Sequence, residues 1–172
     1  MKLLLHTCCA PCLIYPIKRL KKQGFKVTPF FYNPNIFPAA EYQKRRMVLV
    51  EYSGKDDIEI FYPEFIASEF LDAVKENLEK PQRCLACWSL RLGRAAQFAK
   101  ENGFAAFSTT LLVSPYQDQE ALKNIGLRIA AEQKVDFYYE DFRPGFKKAH
   151  QEAKAKGIYC QNYCGCVYSI SR

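Results

Sequence analysis

The sequence predicts an α/β fold, a parallel sheet covered by helices on both faces and formed by a single domain spanning residues 1–172. Two observations carry this prediction. Short apolar runs alternate with longer stretches whose apolar residues recur at helical spacing, as repeated strand–helix units do. Gly and Pro mark most of the boundaries between them. A third observation points to the working end of such a sheet: a cysteine cluster follows the first apolar run directly, and open parallel sheets build their sites beyond the carboxyl ends of their strands.

Lys2–His6 reads as the first strand. Pro11–Gln23 follows as a helix, with Leu13, Ile17 and Leu20 at helical spacing and Gly24 as its stop. Lys26–Tyr32 is a second strand, ended by the turn-forming Asn33-Pro34-Asn35. Ala39–Ser53 is a helix and Ile58–Tyr62 a third strand. Ser68–Glu79 and Arg83–Glu101 are helices parted by Pro81, the second closed by Asn102-Gly103. Phe104–Leu112 is a fourth strand, Gln119–Gln133 a helix, Asp136–Tyr139 a fifth strand, and Phe146–Lys156 a last helix ended by Gly157. There is no internal repeat and no low-complexity segment.

A chain of 172 residues can bury a proper core without disulfide staples. The first six residues hold only three consecutive apolar side chains, too few for a signal peptide, and no stretch approaches a membrane span. The expected compartment is therefore the reducing cytoplasm, with no membrane partner, where clustered cysteines point to metal or redox chemistry rather than structural disulfides. The net charge of +7 is grouped: Lys18, Arg19, Lys21, Lys22 and Lys26; Lys44, Arg45 and Arg46; Lys147, Lys148, Lys154 and Lys156. Such groups fit a phosphate backbone, and the many Tyr and Phe offer faces for base stacking.

Seven of the eight cysteines fall into three clusters, Cys8/Cys9/Cys12, Cys84/Cys87 and Cys164/Cys166. The first lies at the start of a helix, where the dipole and free N–H groups favour thiolate. Cys84 and Cys87, at i and i+3, share one helix face. Gly165 lets Cys164 and Cys166 converge. Together they can supply four ligands to a [4Fe–4S] cluster or to zinc, and the surplus of thiols points to a second metal beside the first. Cys160 stands apart and is read as a packing residue. Cys9-Ala10-Pro11-Cys12 on its own resembles the active site of thioredoxin-like thiol–disulfide oxidoreductases, and a zinc-stabilised tRNA-binding module is a third reading. Polar residues gather at three further strand ends: Asn33 to Pro38, leading to Glu41, Tyr42 and Arg45; Ser108 to Gln117, with Ser114 and Tyr116; and Asp141-Phe142-Arg143. Their shared position at one sheet edge predicts a binding pocket.

The segments His6-Thr7-Cys8-Cys9-Ala10-Pro11-Cys12, Asn33-Pro34-Asn35-Ile36 with Glu41-Tyr42 and Arg45, Arg83-Cys84 to Cys87 with Arg91-Leu92, Ser108 to Gln117, Asp141-Phe142-Arg143, and Tyr159 through Cys166 resemble the cobalamin-independent epoxyqueuosine reductase family, QueH. The resemblance covers essentially the whole chain in order. It departs at Cys160, where the family pattern has arginine, which puts one tRNA contact in doubt. The resemblance implies that epoxyqueuosine at the wobble position of a tRNA anticodon loses its epoxide oxygen and becomes queuosine. It implies an iron–sulfur cofactor, no cobalamin, and a sheet similar to HUP-type, PP-loop nucleotide-binding domains with cysteines in place of the phosphate loop. Removing the oxygen takes two electrons and two protons, so an external one-electron donor such as ferredoxin or flavodoxin is expected. Asp141, Glu41 and His6 are the candidate acids. Tyr42, Tyr116 and Tyr163 are candidate stacking groups, Arg45, Arg91 and Arg143 candidate phosphate or base contacts, and Asn33, Asn35, Ser114 and Gln117 further pocket contacts.

Overall fold

In the computed structural model, which describes residues 1–170, ten regular elements follow one another: β1 (Lys2–His6), α1 (Ala10–Lys22), β2 (Lys26–Phe30), α2 (Ala39–Lys55), α3 (Ala67–Val74), α4 (Gln82–Glu101), β3 (Ala106–Thr109), α5 (Gln119–Gln133), β4 (Asp136–Phe137) and α6 (Phe146–Ala155). The four strands form one parallel sheet in the order β2-β1-β3-β4. Its centre is β1, whose Leu3, Leu4 and Leu5 are fully buried, the continuous apolar run that a strand covered on both faces requires.

The chain leaves β1 leftward to β2 and then crosses back rightward to β3 and β4. Right-handed crossovers in opposite directions put helices on opposite faces. Accordingly α1 packs against α6 and α2, whereas α4 packs on β1 and β3 and against α5. The reversal falls between β1 and β3, so a crevice opens beyond His6 and Thr109, the paired last residues of those strands.

The structure departs from the sequence reading at the third strand. Ile58–Tyr62 does not form a strand; it makes one bridge, Phe61 beside Phe30. Phe61 N–H donates to the Pro29 carbonyl at 3.0 Å and the Phe61 carbonyl accepts from Phe31 N–H at 2.9 Å. The next donor on one side would be residue 63 and on the other residue 29, and both are proline, which has no N–H. The fourth strand also stops early. Thr109 Oγ1 accepts from Leu111 N–H at 3.1 Å and turns Thr110–Val113 into a single 3₁₀ turn. The predicted Ser68–Glu79 helix ends at Val74.

One element, α1, bears directly on the site. Helix α1 starts with Pro11 in its first turn, where a missing N–H costs nothing. Pro16 lies inside it and has no N–H to give the carbonyl of Cys12, four residues earlier.

Candidate metal centre

Cys8, Cys9 and Cys12 converge at the carboxyl end of β1: their sulfurs all lie within 4.8 Å of one another. Regular structure holds them. Cys8 N–H donates to Thr110 Oγ1 at 3.2 Å, Cys9 is the N-cap of α1, and Cys12 lies in its first turn. The Cys8 and Cys9 sulfurs are 3.7 Å apart, and Gln161 Nε2 donates to the Cys9 sulfur at 2.7 Å. Hydrogen bonds from Cys12 and Cys9, helped by Thr110 and the charge of Arg91, hold the Cys8 thiol well below its ordinary pKa. Burial pushes Cys9 up; Cys12 is raised chiefly by its hydrogen bond to Cys8. Of the three sulfurs, Cys8 is the one whose surroundings favour the thiolate form.

The other four thiols come from α4 and from the loop after α6. Cys84 and Cys87 sit in the first two turns of α4, and Cys87 packs with Cys166 against Phe70 and Val74 of α3. Burial raises both α4 thiols. Cys164, at the exposed end, is lowered to about 5 by hydrogen bonds from Cys166 and Ser169, the latter at 3.0 Å. Among the described residues only Cys8, Cys9 and Cys12 form a close ligand triad. Yet Cys8, Cys12, Cys84, Cys87, Cys164 and Cys166 all line one cavity of about 1040 Å³. Soft thiol donors in this number suit iron–sulfur or zinc rather than hard cations.

The loop carrying Cys164 and Cys166 is held from the side by Arg45. That guanidinium is 2 % exposed; it pairs with Glu41 at 2.7 Å and donates to the carbonyls of Tyr163 at 3.0 Å and Cys164 at 3.2 Å. Tyr159 O–H donates to the same Glu41 carboxylate, and Phe37 N–H to the Gly165 carbonyl at 2.7 Å. Gly165 has φ +110°, and a Cβ there would lie 2.9 Å from Ile36 Cγ1. Arg45 and Glu41, expected at the substrate, thus brace the loop that carries Cys164 and Cys166, and Arg45 also lines the cavity.

Several other sequence candidates are also committed elsewhere. Tyr42 is 4 % exposed, its ring stacked on Phe65 at 4.0 Å, with no face free for a base. Asn33 Nδ2 donates to the Thr7 carbonyl and its Oδ1 accepts from Arg91. Burial lowers the His6 pKa to about 3, so its ring is neutral, bonded to Thr109 Oγ1 and the Tyr32 carbonyl, and no acid at neutral pH. Asp141 accepts two hydrogen bonds from the Arg143 guanidinium, which hold its carboxyl below the usual range, and neither residue is on the cavity wall. Tyr163 lines the cavity and gives its O–H to the Phe37 carbonyl.

Asn35, Ser114, Tyr116 and Gln117 do line the cavity. Asn35 is 1 % exposed and neither polar atom of its amide has a partner, the condition of a group waiting for a ligand. Tyr116 is 84 % exposed and meets Phe146 edge-to-face. Lys147 and Lys154, read from the sequence as part of a phosphate-binding group, line the cavity on α6 together with Phe146, His150 and Gln151, which the sequence reading passed over. Their signal was the spacing i, i+1, i+4, i+5, i+8 of one helix face, with His150 lying over Phe146 at 4.1 Å.

Fold and site together define a class: a doubly wound α/β protein with a multi-thiol cavity at the switch point of its sheet. Residues 3–172 match the profile of the family described as Epoxyqueuosine reductase QueH. A protein of that description from Thermotoga maritima is 39% identical over 97% of this chain and 89% of its own length. Another from Dehalococcoides mccartyi is 37% identical over 98% and 92%. Among solved structures, a chain described as a predicted subunit of a tRNA methyltransferase from Methanocaldococcus jannaschii shares the fold, with TM-score 0.58 and 10% identity over 90% of this chain and 76% of that one. The chain belongs to the epoxyqueuosine reductase QueH family and is, by that membership, an oxidoreductase.

Proposed function

We propose that this chain, folded as one domain, removes the epoxide oxygen of epoxyqueuosine at the wobble position of a tRNA anticodon in the cytoplasm. The balance is simple. Both C–O bonds of the epoxide break, a C=C bond forms, and two electrons and two protons convert the oxygen to water. The observation that carries the reading is the single cavity in which six of the seven clustered thiols face a wall of cations and aromatic rings.

The three converged sulfurs of Cys8, Cys9 and Cys12, with further thiols from Cys84, Cys87, Cys164 and Cys166, fit a [4Fe–4S] cluster and leave ligands for a second iron. When bound, such a centre would supply single electrons and Lewis acidity, without cobalamin. The electrons come from an external one-electron donor of the ferredoxin or flavodoxin class, in two deliveries.

The chain's own side chains bind and orient. Of the ionisable groups on the wall, Lys80, Lys147 and Lys154 are exposed cations and Asp118 is the one carboxylate. Tyr116 and Phe146 give a flipped base something to stack on, and Lys147 and Lys154 meet flanking phosphates. The unpartnered amide of Asn35 reads a hydroxyl or base edge of the modified nucleoside. His150 Nδ1–H donates to the Phe146 carbonyl at 3.1 Å, so Nε2 is the ring nitrogen free to take a proton from solvent and hand it on to the departing oxygen. Asp141 and Glu41, the acids expected from sequence, serve here by holding Arg143 and Arg45.

The test is anaerobic reconstitution with iron and sulfide, followed by single-turnover reaction with tRNA bearing epoxyqueuosine and chemical reductant. Queuosine should appear only with the iron-loaded protein, and equal conversion by the metal-free chain would sink the reading. Binding should weaken steeply with salt, and replacing Lys147 and Lys154 together by Ala should flatten the log–log slope by about 2.

A further inference from the structure

Helix α4 carries two guanidinium groups into the protein with no carboxylate to meet them. Arg91 is 3 % exposed and Arg83 6 %. Arg91 donates from Nη2 to Asn33 Oδ1 at 2.7 Å and from Nη1 to the Cys87 sulfur at 3.9 Å, and its Nε has no partner. Arg83 gives Nη1 to the Leu78 carbonyl and lies 5.2 Å from the centre of the Tyr168 ring, and its Nε is also unpartnered. Among the described residues, the ion pairs involve other side chains. Arg45, equally buried, has its carboxylate in Glu41.

A buried charge without a counter-charge is strongly disfavoured. A fold keeps two of them where the missing negative charge arrives with something else. Both arginines line the thiol cavity; Arg83 adjoins Cys84, and Arg91 stands one turn beyond Cys87. The side chain of Arg91 is too enclosed for an RNA phosphate to reach, and one of its N–H groups already points at sulfur.

We propose that Arg83 and Arg91 are built-in counter-ions of an anionic metal–thiolate centre, and that Arg91 raises its reduction potential. The inference rests on the metal-centre reading given above. Thiolates and sulfide bring negative charge into the cavity. A fixed cation with an N–H group on a ligand sulfur favours the more electron-rich state of the centre. Arg91 is thus a positioning residue that acts through the metal site.

The experiment compares wild type, Arg91→Met and Arg91→Lys, each full-length and reconstituted anaerobically with iron and sulfide. Mediated redox titration followed by electron paramagnetic resonance reads the potential, and thermal melting of the metal-free and iron-loaded forms reads stability. Arg91→Met should raise the oxidised-to-reduced ratio at a fixed poise about tenfold, which is about 59 mV for a one-electron couple. Arg91→Lys, keeping the charge but not the planar fork, should fall between. Metal-free Arg91→Met should melt close to metal-free wild type, the lost hydrogen bond to Asn33 being offset by removal of a buried charge that no carboxylate meets, whereas iron-loaded Arg91→Met should release iron to a chelator about tenfold faster. An unchanged potential in iron-loaded Arg91→Met overturns the proposal and leaves the metal centre standing. So does a metal-free variant that melts well below wild type, which makes Arg91 a structural strut of Asn33. A wild type that takes up no iron overturns the metal reading itself. Arg83→Met, read in the same way, carries the test if Arg91→Met does not fold.

Discussion

The two thiol sets are held by different physics. Cys8, Cys9 and Cys12 ride on the end of β1 and the first turn of α1, elements locked by the buried centre of the sheet. Cys84 and Cys87 ride on a helix, but their partners Cys164 and Cys166 sit on an irregular loop that side chains restrain. One half of the site is pre-formed by secondary structure; the other is fastened to it by a buried ion pair. The difference teaches that a site can be precise on one side and adjustable on the other.

The largest effect expected from this contrast is on metal retention. Cys8→Ser or Cys12→Ser should remove the visible iron–sulfur absorption and lower activity by more than about 100-fold, a ligand loss exceeding the 10–100-fold typical of supporting groups. Cys164→Ser should keep more of the iron than either. Iron content by anaerobic assay checks the order, and the reverse order would break the comparison.

Next in size is the fastening. Arg45→Met leaves Glu41 without its cation and two carbonyls without their donor, and should cost about 3 kcal/mol in chemical denaturation. Gly165→Ala forces a Cβ into a left-handed backbone and onto Ile36, and should cost about 1–3 kcal/mol. In both variants hydrogen exchange should quicken around residues 163–166 while the amide of Cys8 stays protected. Equal quickening at both places would mean the halves are not separable.

The smallest effect lies outside both. Arg143 depresses the Asp141 carboxyl, so the pair stabilises the fold above the ordinary carboxylate pKa of about 4, and that contribution is lost as pH falls through the lowered value. The pair is more than a third exposed, so Asp141→Asn should cost under about 1 kcal/mol at pH 7 and nothing measurable near pH 2. Its rate should stay within a few-fold of wild type. A loss above about 100-fold would restore Asp141 as the general acid.

The parallel fold was legible because alternation of apolar runs with helical spacing is a property of the chain alone. What misled was hydrogen bonding between segments: Ile58–Tyr62 has the composition of a strand, but Pro29 and Pro63 remove the donors a ladder needs. The gathering of the cysteines was legible in the same way, since thiols two or three residues apart constrain chemistry locally. Side-chain roles were less so. Arg45 and Tyr42 read as pocket contacts, and only the folded chain reveals that Arg45, on the cavity wall, also grips a loop more than a hundred residues away and that Phe65 covers Tyr42. Of the α6 wall only Lys147 and Lys154 were read, as charge; Phe146, His150 and Gln151 look like any helix surface until a cavity stands in front of them.

Arg45 also sets an order of events on the ribosome. The loop it grips is synthesised about 150 residues after Cys12, roughly 8–30 s later at ordinary rates of elongation. Throughout that interval the growing chain owns the first three thiols and lacks Cys164 and Cys166. A metal ion that arrived early would meet only part of the donor set, which is complete once the segment carrying Cys164 and Cys166 has left the exit tunnel and closed onto Arg45.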